Sequence, residues 1–212
     1  GGGGLKAPVP VCWNKPTSVL YQPAVRRVPL YEVQGRSMML SCYNKPRLYV
    51  AVYEDGYMRD KEPVYHWDLI TGPKTEMADP VPGLRYRVSH SPVHGWAYSE
   101  RQVTNVRTPY NMLVRILIAK IEDKRRLSSI LRSIPIAQDD PGFDTHVWVA
   151  SALARIAEDG RVVGTADLDW GRIEATARGF VERKTAEGRF LRGDFDMPQP
   201  MWDLLENKEV LP

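Results

Sequence analysis

The residues of this sequence best placed to do chemistry are a histidine and an aspartate two positions apart, His66 and Asp68. They lie in an alternating stretch from Val64 to Ile70 that is typical of a β-strand. Successive side chains of a strand point to opposite faces, so His66 and Asp68 share a face. An imidazole held on a rigid strand can act as a general base toward a hydroxyl, a thiol or water. The pattern therefore indicates an acid–base site.

The group that orients His66 is left open by the sequence. A neighbouring carboxylate or amide can fix which ring nitrogen carries the proton. Asp68 is one candidate, although a residue two positions along a strand is expected to lie farther away than direct contact requires. Arg87 and Glu100, on predicted neighbouring strands, are the alternatives. The competing interpretation is structural, with His66 as a partly buried core histidine bonded to backbone.

A second chemical feature is the helix start that follows the turn Asp140-Pro141-Gly142. Asp144 and Thr145 are good helix caps, and His146 falls in the first turn. A helix N-terminus carries positive potential and unpaired N–H groups, which can bind an oxyanion and lower the pKa of a cysteine. A threonine hydroxyl is far harder to ionise than a thiol, so the helix start activates it much less. Thr145 is therefore predicted to be a cap in preference to a nucleophile.

Five strands and three helices are predicted to position these residues. The strands cover residues 48–53, 64–70, 83–89, 95–100 and 112–122, and short turn-rich links between them predict an antiparallel meander. After Asp123 the apolar residues recur at helical spacing, which predicts helices from 127 to 134, from 145 to 158 and from 170 to 186. The fold class is thus α+β, a five-stranded antiparallel sheet followed by and packed against the helices.

The chain divides into three predicted parts. Residues 1–46 form a proline-rich extended arm, because proline at this density prevents regular helix. Residues 47–190 form the α+β domain, and residues 191–212 form a C-terminal tail that docks on it. Aromatic residues in the arm are expected to pack on the domain or on a second subunit, so a homodimer is compatible with the sequence.

Composition excludes several classes of partner. The 29 basic and 26 acidic residues give a net charge of only +3 and are interleaved, so no nucleic-acid partner is expected. No apolar run approaches the roughly 20 residues that cross a bilayer, so no membrane partner is expected. Cys12 and Cys42 suggest neither a disulfide framework nor a metal site, which favours a reducing cytoplasmic setting. His90 and His94 flank Pro92, which argues against a helical metal pair. We expect no metal and no cofactor.

The order of motifs along residues 47–190, continuing into residues 204–208, resembles a family of fungal proteins of unknown function. The motifs that carry the resemblance are Tyr65-His66-Trp67, Gly72-Pro73-Lys74, Gly83-x-x-Tyr86, Leu113-Val-Arg-Ile-Leu-Ile118, Gln138-Asp-Asp-Pro141 and Trp148-Val149. Members of that family carry a cysteine where this chain has Thr145.

More remotely, a histidine on an early strand and a nucleophile at a later helix start are similar to the circularly permuted papain-like group. That group includes the lecithin:retinol acyltransferase-like and NlpC-type thiol enzymes. The resemblance implies a papain-like permuted fold with His66 as base and Thr145 at the nucleophile position. No cysteine follows Cys42, so a covalent thioester cannot form at this site. A likeness of fold does not by itself assign a function.

Three functions are compatible with these residues. The first is a small-molecule enzyme of the cyclase, isomerase or lyase type in fungal specialised metabolism, with His66 as general acid or base and Thr145 donating to an oxyanion. The second is a hydrolase or acyltransferase in which His66 activates a weak Thr145 or water nucleophile. The third is a non-catalytic protein that binds a small molecule. The residues predicted to line or position the substrate are Trp67, Asp68, Tyr86, Arg87, Asp144, His146 and Trp148.

Overall fold

A computed structural model describes residues 44–59, 62–191 and 197–212, without the side chains of residues 57–62. The fold of these residues is α+β, with eight strands in one mostly antiparallel sheet and three helices. This confirms the predicted fold class at that level. Residues 1–43 of the predicted arm, which include both cysteines, lie outside the described residues.

The sheet is larger than predicted and differently ordered. Its strands are β1 (Arg47–Arg59), β2 (Glu62–Gly72), β3 (Gly83–Ser91), β4 (Gly95–Val103), β5 (Met112–Ile121), β6 (Val163–Ala166), β7 (Met201–Asp203) and β8 (Lys208–Leu211). Their order is β4-β3-β2-β1-β5-β7-β8, and β6 also pairs with β5. The first four strands form the predicted meander. Strand β5 departs from it, because β5 returns across the sheet to pair with β1 instead of β4.

Three short strands were not predicted as strands. Strand β6, which follows α2, pairs with the end of β5. The C-terminal segment supplies β7, which is parallel to β5, and β8, which pairs with β7. Strands of three or four residues are too short for an alternating pattern to be recognised.

The helices are α1 (Lys124–Arg132), α2 (Thr145–Asp159) and α3 (Trp170–Ala186). Each follows an aspartate whose side chain accepts a backbone N–H of the first turn: Asp123, Asp144 and Asp169. These caps satisfy donors that a helix start otherwise leaves unpaired. Helix α2 ends at Gly160 in the left-handed conformation, with φ of 65°. In the described ranges no helix is long and apolar enough to span a membrane.

The two faces of the sheet are packed differently. On one face, side chains such as Trp67 and Leu69 of β2 join residues of all three helices in the main core. On the opposite face, called here the second face, Tyr53 and Ile70 belong to a smaller apolar cluster to which no described helix contributes. Because side chains alternate along β2, His66 shares the second face with Ile70. The histidine therefore points away from the helices.

Candidate functional site

His66 and Asp68 are in direct contact on the second face. Nε2 of His66 lies 2.9 Å from Oδ1 of Asp68, and the Asp68 side chain is fully buried while that of His66 is 17% exposed. The expectation that the pair lies too far apart for contact was wrong. Alternate residues of a strand are about 7 Å apart at Cα, and the extended imidazole spans most of that gap. The pair therefore has the geometry in which a carboxylate orients a histidine.

Asp68 is held by a second partner that the sequence did not reveal. Nε of Arg85, on β3, donates to Oδ2 of Asp68 at 2.5 Å, and the guanidinium forms an ion pair with the same carboxylate. The guanidinium also stacks 4.1 Å above the ring of Tyr53 on β1. A buried carboxylate needs a counter-charge and donors, and Arg85 supplies both. Asp68 is thus fixed between a cation and the imidazole.

The hydrogen bonds of His66 indicate which nitrogen is basic. Nε2 lies 2.9 Å from the Asp68 carboxylate and 3.4 Å from Nη2 of Arg87. A carboxylate only accepts and a guanidinium only donates, so Nε2 of a neutral ring cannot serve both. The shorter contact with the charged carboxylate assigns the proton to Nε2. In that tautomer Nδ1 carries the lone pair and is the atom that can take a proton.

Two further polar groups beside the histidine are buried without a hydrogen-bond partner in the described part of the chain. They are the Tyr53 hydroxyl and Nε of Arg87. Burial raises the pKa of Tyr53 well above its usual range, with the nearby Asp68 charge adding to the effect, so the hydroxyl keeps its proton. Burial lowers the pKa of Arg87, and the charge of Asp68 opposes that shift. Both groups are therefore hydrogen-bond donors whose capacity no described residue uses.

Tyr53 could have been found from the sequence. It lies directly opposite His66 in the β1–β2 pair, with ring centroids 6.2 Å apart. Consecutive antiparallel strands commonly pair as a hairpin, which places Tyr53 near the histidine. The register of this hairpin shifts between Glu54 and Met58, beyond Tyr53. Arg85 had no comparable signal, because β3 pairs with β2 only over Leu69 to Thr71 and follows an irregular loop.

Thr145 is not brought together with His66. Its hydroxyl oxygen accepts the backbone N–H of Trp67 at 3.0 Å, and its side chain is buried. Strand β3 does not pair with β2 at this position, so the first residue of α2 takes the place of a neighbouring strand. No hydrogen bond between Thr145 and His66 occurs among the described residues. The hydroxyl is therefore engaged in a backbone contact with β2. The prediction that Thr145 is a helix cap was wrong, because Asp144 caps α2 and Thr145 is its first residue.

His146 belongs to a different cluster, on the helix side of the sheet. Its ring packs edge-on against Trp67 and Trp170, and Nε2 lies 3.0 Å from Oε2 of Glu174. Burial alone would raise the pKa of Glu174, but hydrogen bonds from His146 and Arg178 outweigh it and hold that pKa below its usual range. The cluster joins α2 to α3. It does not contact the His66 and Asp68 pair.

The remaining predicted residues have structural positions. Asp144 caps α2 by accepting the backbone N–H of Val147. Trp67 and Trp148 lie in the main core, and Trp148 is fully buried. Tyr86 lines a cavity of about 750 Å³ between β3 and α1, with its hydroxyl 3.0 Å from Oγ of Ser128. Of the nine predicted residues, the structure places three together on the second face: His66, Asp68 and Arg87.

Comparison with known protein families identifies a match over most of the chain. The model of a family of unknown function, DUF6914, matches residues 45–211. No curated protein and no solved structure matches the chain. Among the residues that the structure describes, no group of three or more His, Cys, Asp or Glu residues is arranged to hold a metal ion.

Proposed function

Since the chain belongs to DUF6914, a family of unknown function, we propose its activity from the chemistry of the site: a small-molecule enzyme that uses His66 as a general acid–base. The observation that carries this proposal is the contact of His66 with Asp68, a fully buried carboxylate that Arg85 also binds. Such an arrangement fixes the tautomer of the imidazole and stabilises its protonated form.

The reaction class follows from the groups around the imidazole. Nδ1 of His66 would take a proton from a carbon beside a carbonyl, and the electron pair would move onto the carbonyl oxygen. The Arg87 cation and the Tyr53 hydroxyl are the donors available to that developing oxyanion. Return of the proton to another atom gives an isomerase, loss of a leaving group gives a lyase, and attack on a second carbon gives a cyclase. A positioned general base contributes roughly 10²–10⁴-fold to such a step.

This proposal keeps the non-covalent mechanism expected from the sequence and changes its residues. Tyr53 and Arg87 replace Thr145 as oxyanion donors, because the Thr145 hydroxyl already binds the backbone of Trp67. The proposed reaction requires no cofactor, since side chains can supply both the proton transfer and the charge stabilisation. The papain-like ancestry and the role in fungal specialised metabolism stay predictions that rest on the resemblance.

The experiment follows proton abstraction directly, so neither the natural substrate nor the product of the reaction has to be known. The protein is incubated in D₂O with a panel of small carbonyl compounds that carry an anionic group, and exchange of their α-protons is followed by NMR. We expect exchange with the unmodified protein and a loss of about 100-fold or more in His66→Gln. Thr145→Ser, which keeps a hydroxyl, should retain the rate.

Two outcomes would contradict the proposal. Undiminished exchange in His66→Gln, with the fold intact by circular dichroism, would remove the histidine from the mechanism. Tight binding of a panel compound with neither exchange nor turnover would instead support the non-catalytic binding protein.

A further inference from the structure

The far end of the second face holds a separate pocket of about 370 Å³ where four basic side chains meet. We call it the cation pocket and define it by Lys45, Arg47, Lys74 and Lys120. Arg47 lies six residues before Tyr53 on β1, which at 3.3 Å per residue is about 20 Å along the strand. Because Tyr53 pairs with His66, the cation pocket is distinct from the His66 site.

Two of these cations face each other across neighbouring strands. Arg47 of β1 and Lys120 of β5 are directly opposite in the antiparallel pair. Like charges in this position destabilise a sheet. Nη1 of Arg47 donates to the backbone oxygen of Lys45 at 2.6 Å, and Lys120 forms no ion pair with any residue that the structure describes. The repulsion between them is thus not relieved by an adjacent carboxylate of either strand.

The acidic residues of the pocket are bound elsewhere. Oδ1 of Asp203 accepts the backbone N–H groups of Leu205 and Glu206 at 2.9 and 3.1 Å. Glu206 forms an ion pair with Lys208. The pKa of Glu206 is held below its usual range chiefly by Lys208, with smaller contributions from Lys120 and Arg47. Lys45 of the pocket forms an ion pair with Glu122 at 2.5 Å, and Lys74 also has an interaction partner. The opposed pair Arg47 and Lys120 therefore supplies the positive charge that no ion pair among the described residues neutralises.

We infer that the cation pocket binds a phosphorylated small molecule. Ammonium groups are compact point charges suited to phosphate, and three of them line the pocket beside one guanidinium, whose fork also fits phosphate oxygens. The hydroxyl-bearing Thr165 completes the polar lining, and the volume lies near the lower end of the range for ligand sites. A bound phosphate between Arg47 and Lys120 would turn their repulsion into two attractions. This site is independent of the reaction proposed for His66.

The test measures binding of inorganic pyrophosphate by calorimetry and by the shift in thermal midpoint that a bound ligand causes. The informative variant is Lys120→Gln. Its matched control is Lys124→Gln, which removes the same charge at the exposed start of α1. We expect pyrophosphate to bind and stabilise the unmodified protein and the control, and to bind at least about tenfold more weakly to Lys120→Gln.

The stability of Lys120→Gln relative to the unmodified protein should differ without and with pyrophosphate. Without ligand, Lys120→Gln should be at least as stable as the unmodified protein, because the repulsion with Arg47 is removed. With pyrophosphate, the same variant should gain the least stability. If Lys120→Gln does not fold, Arg47→Gln removes the other member of the opposed pair and carries the same expectation.

Three results would overturn the inference. They are the absence of pyrophosphate binding to the unmodified protein, equal binding by Lys120→Gln, and a loss in Lys124→Gln as large as in Lys120→Gln. Citrate is included as a polyanion without phosphate. Binding of citrate as tight as that of pyrophosphate would overturn the assignment to phosphate.

Discussion

The hydroxyl of Thr145 accepts a hydrogen bond from the backbone N–H of Trp67 at 3.0 Å, between residues 78 positions apart. Strands β2 and β3 pair only over Leu69 to Thr71, so this contact extends the hydrogen bonding of β2 where β3 does not reach. The Thr145 side chain thus accepts a backbone N–H that a neighbouring strand would otherwise bind. It also fixes the start of α2 against the sheet.

Replacing Thr145 should therefore affect stability first. Thr145→Val keeps the shape but leaves the buried N–H of Trp67 unpaired, which should lower the free energy of unfolding by about 1–3 kcal/mol. Thr145→Ser keeps the acceptor and should lose distinctly less. Urea denaturation of both variants checks this. A fully stable Thr145→Val protein would show that the hydrogen bond contributes nothing.

Asp68→Asn should be the most destabilising of these substitutions. It leaves the Arg85 guanidinium without its counter-charge beside a fully buried side chain, and breaking such a pair costs about 3–5 kcal/mol. The control is Glu158→Gln, whose ion pair with Arg155 is exposed and should contribute little. Chemical denaturation compares the two. Equal effects would mean that Asp68 is not held as the structure indicates.

Stability should depend on Glu100 in acid. Hydrogen bonds from Arg132 are the largest cause that lowers the pKa of Glu100; burial opposes them, and the Tyr98 hydroxyl adds to them. A carboxyl whose pKa is lowered by folding adds stability above its unfolded value, about 4.3, and that stability is lost as the pH falls through the folded value. The free energy of unfolding of the unmodified protein should exceed that of Glu100→Gln by the largest amount at neutral pH.

That difference should shrink progressively below about pH 4.3. Arg132→Gln should also reduce the loss of stability between pH 7 and pH 3, because it removes the donor that lowers the pKa of Glu100. Unfolding free energies measured from pH 7 to pH 3 check this. A difference that does not change with pH would exclude the ion pair as its cause.

Gly95→Ala tests a contact on the outer edge of the sheet. The amide of Gln138 accepts the N–H of Trp96 at 2.9 Å and donates to its carbonyl at 2.7 Å, pairing with β4 as another strand would. A Cβ on Gly95 would lie 2.5 Å from Oε1 of Gln138, and the φ of 69° is unfavourable for alanine. We expect Gly95→Ala to cost roughly 2 kcal/mol.

The matched control for this substitution is Gly179→Ala. Gly179 lies within α3, where a Cβ would meet nothing within 4 Å. Alanine there should raise stability by about 0.5–1 kcal/mol, because glycine weakens a helix interior. Thermal and urea denaturation compare the two variants. Effects of the same sign would mean that the close approach of Gln138 is not the reason for glycine at position 95.

The sequence predicted the elements better than their arrangement. Helices α2 and α3 begin at Thr145 and Trp170, as predicted, and each follows an aspartate cap, which is a local signal within a few residues. The neighbour of β5 is a long-range property. Pairing with β1 brings together residues such as Leu48 and Ala119, and no local pattern specifies that choice.

The candidate site was predicted in part for the same reason. Alternation along one strand places His66 and Asp68 on a common face, and this follows from a period of two. The separation of Thr145 from His66 depends on the gap between β2 and β3 and on the docking of α2, which only the folded chain defines. Arg85 reaches Asp68 from another strand, so its role depends on register.

The placement of β5 between early and late strands has a consequence for synthesis on the ribosome. Nine of the ten residues of this strand are buried, and the edge opposite β1 is covered by β6 and β7. The residues of β7 emerge about 80 positions after those of β5, so that edge stays unpaired while the intervening chain is translated. An open apolar edge is a template for aggregation. We therefore expect the nascent chain to be prone to aggregation at this edge until β7 has been made.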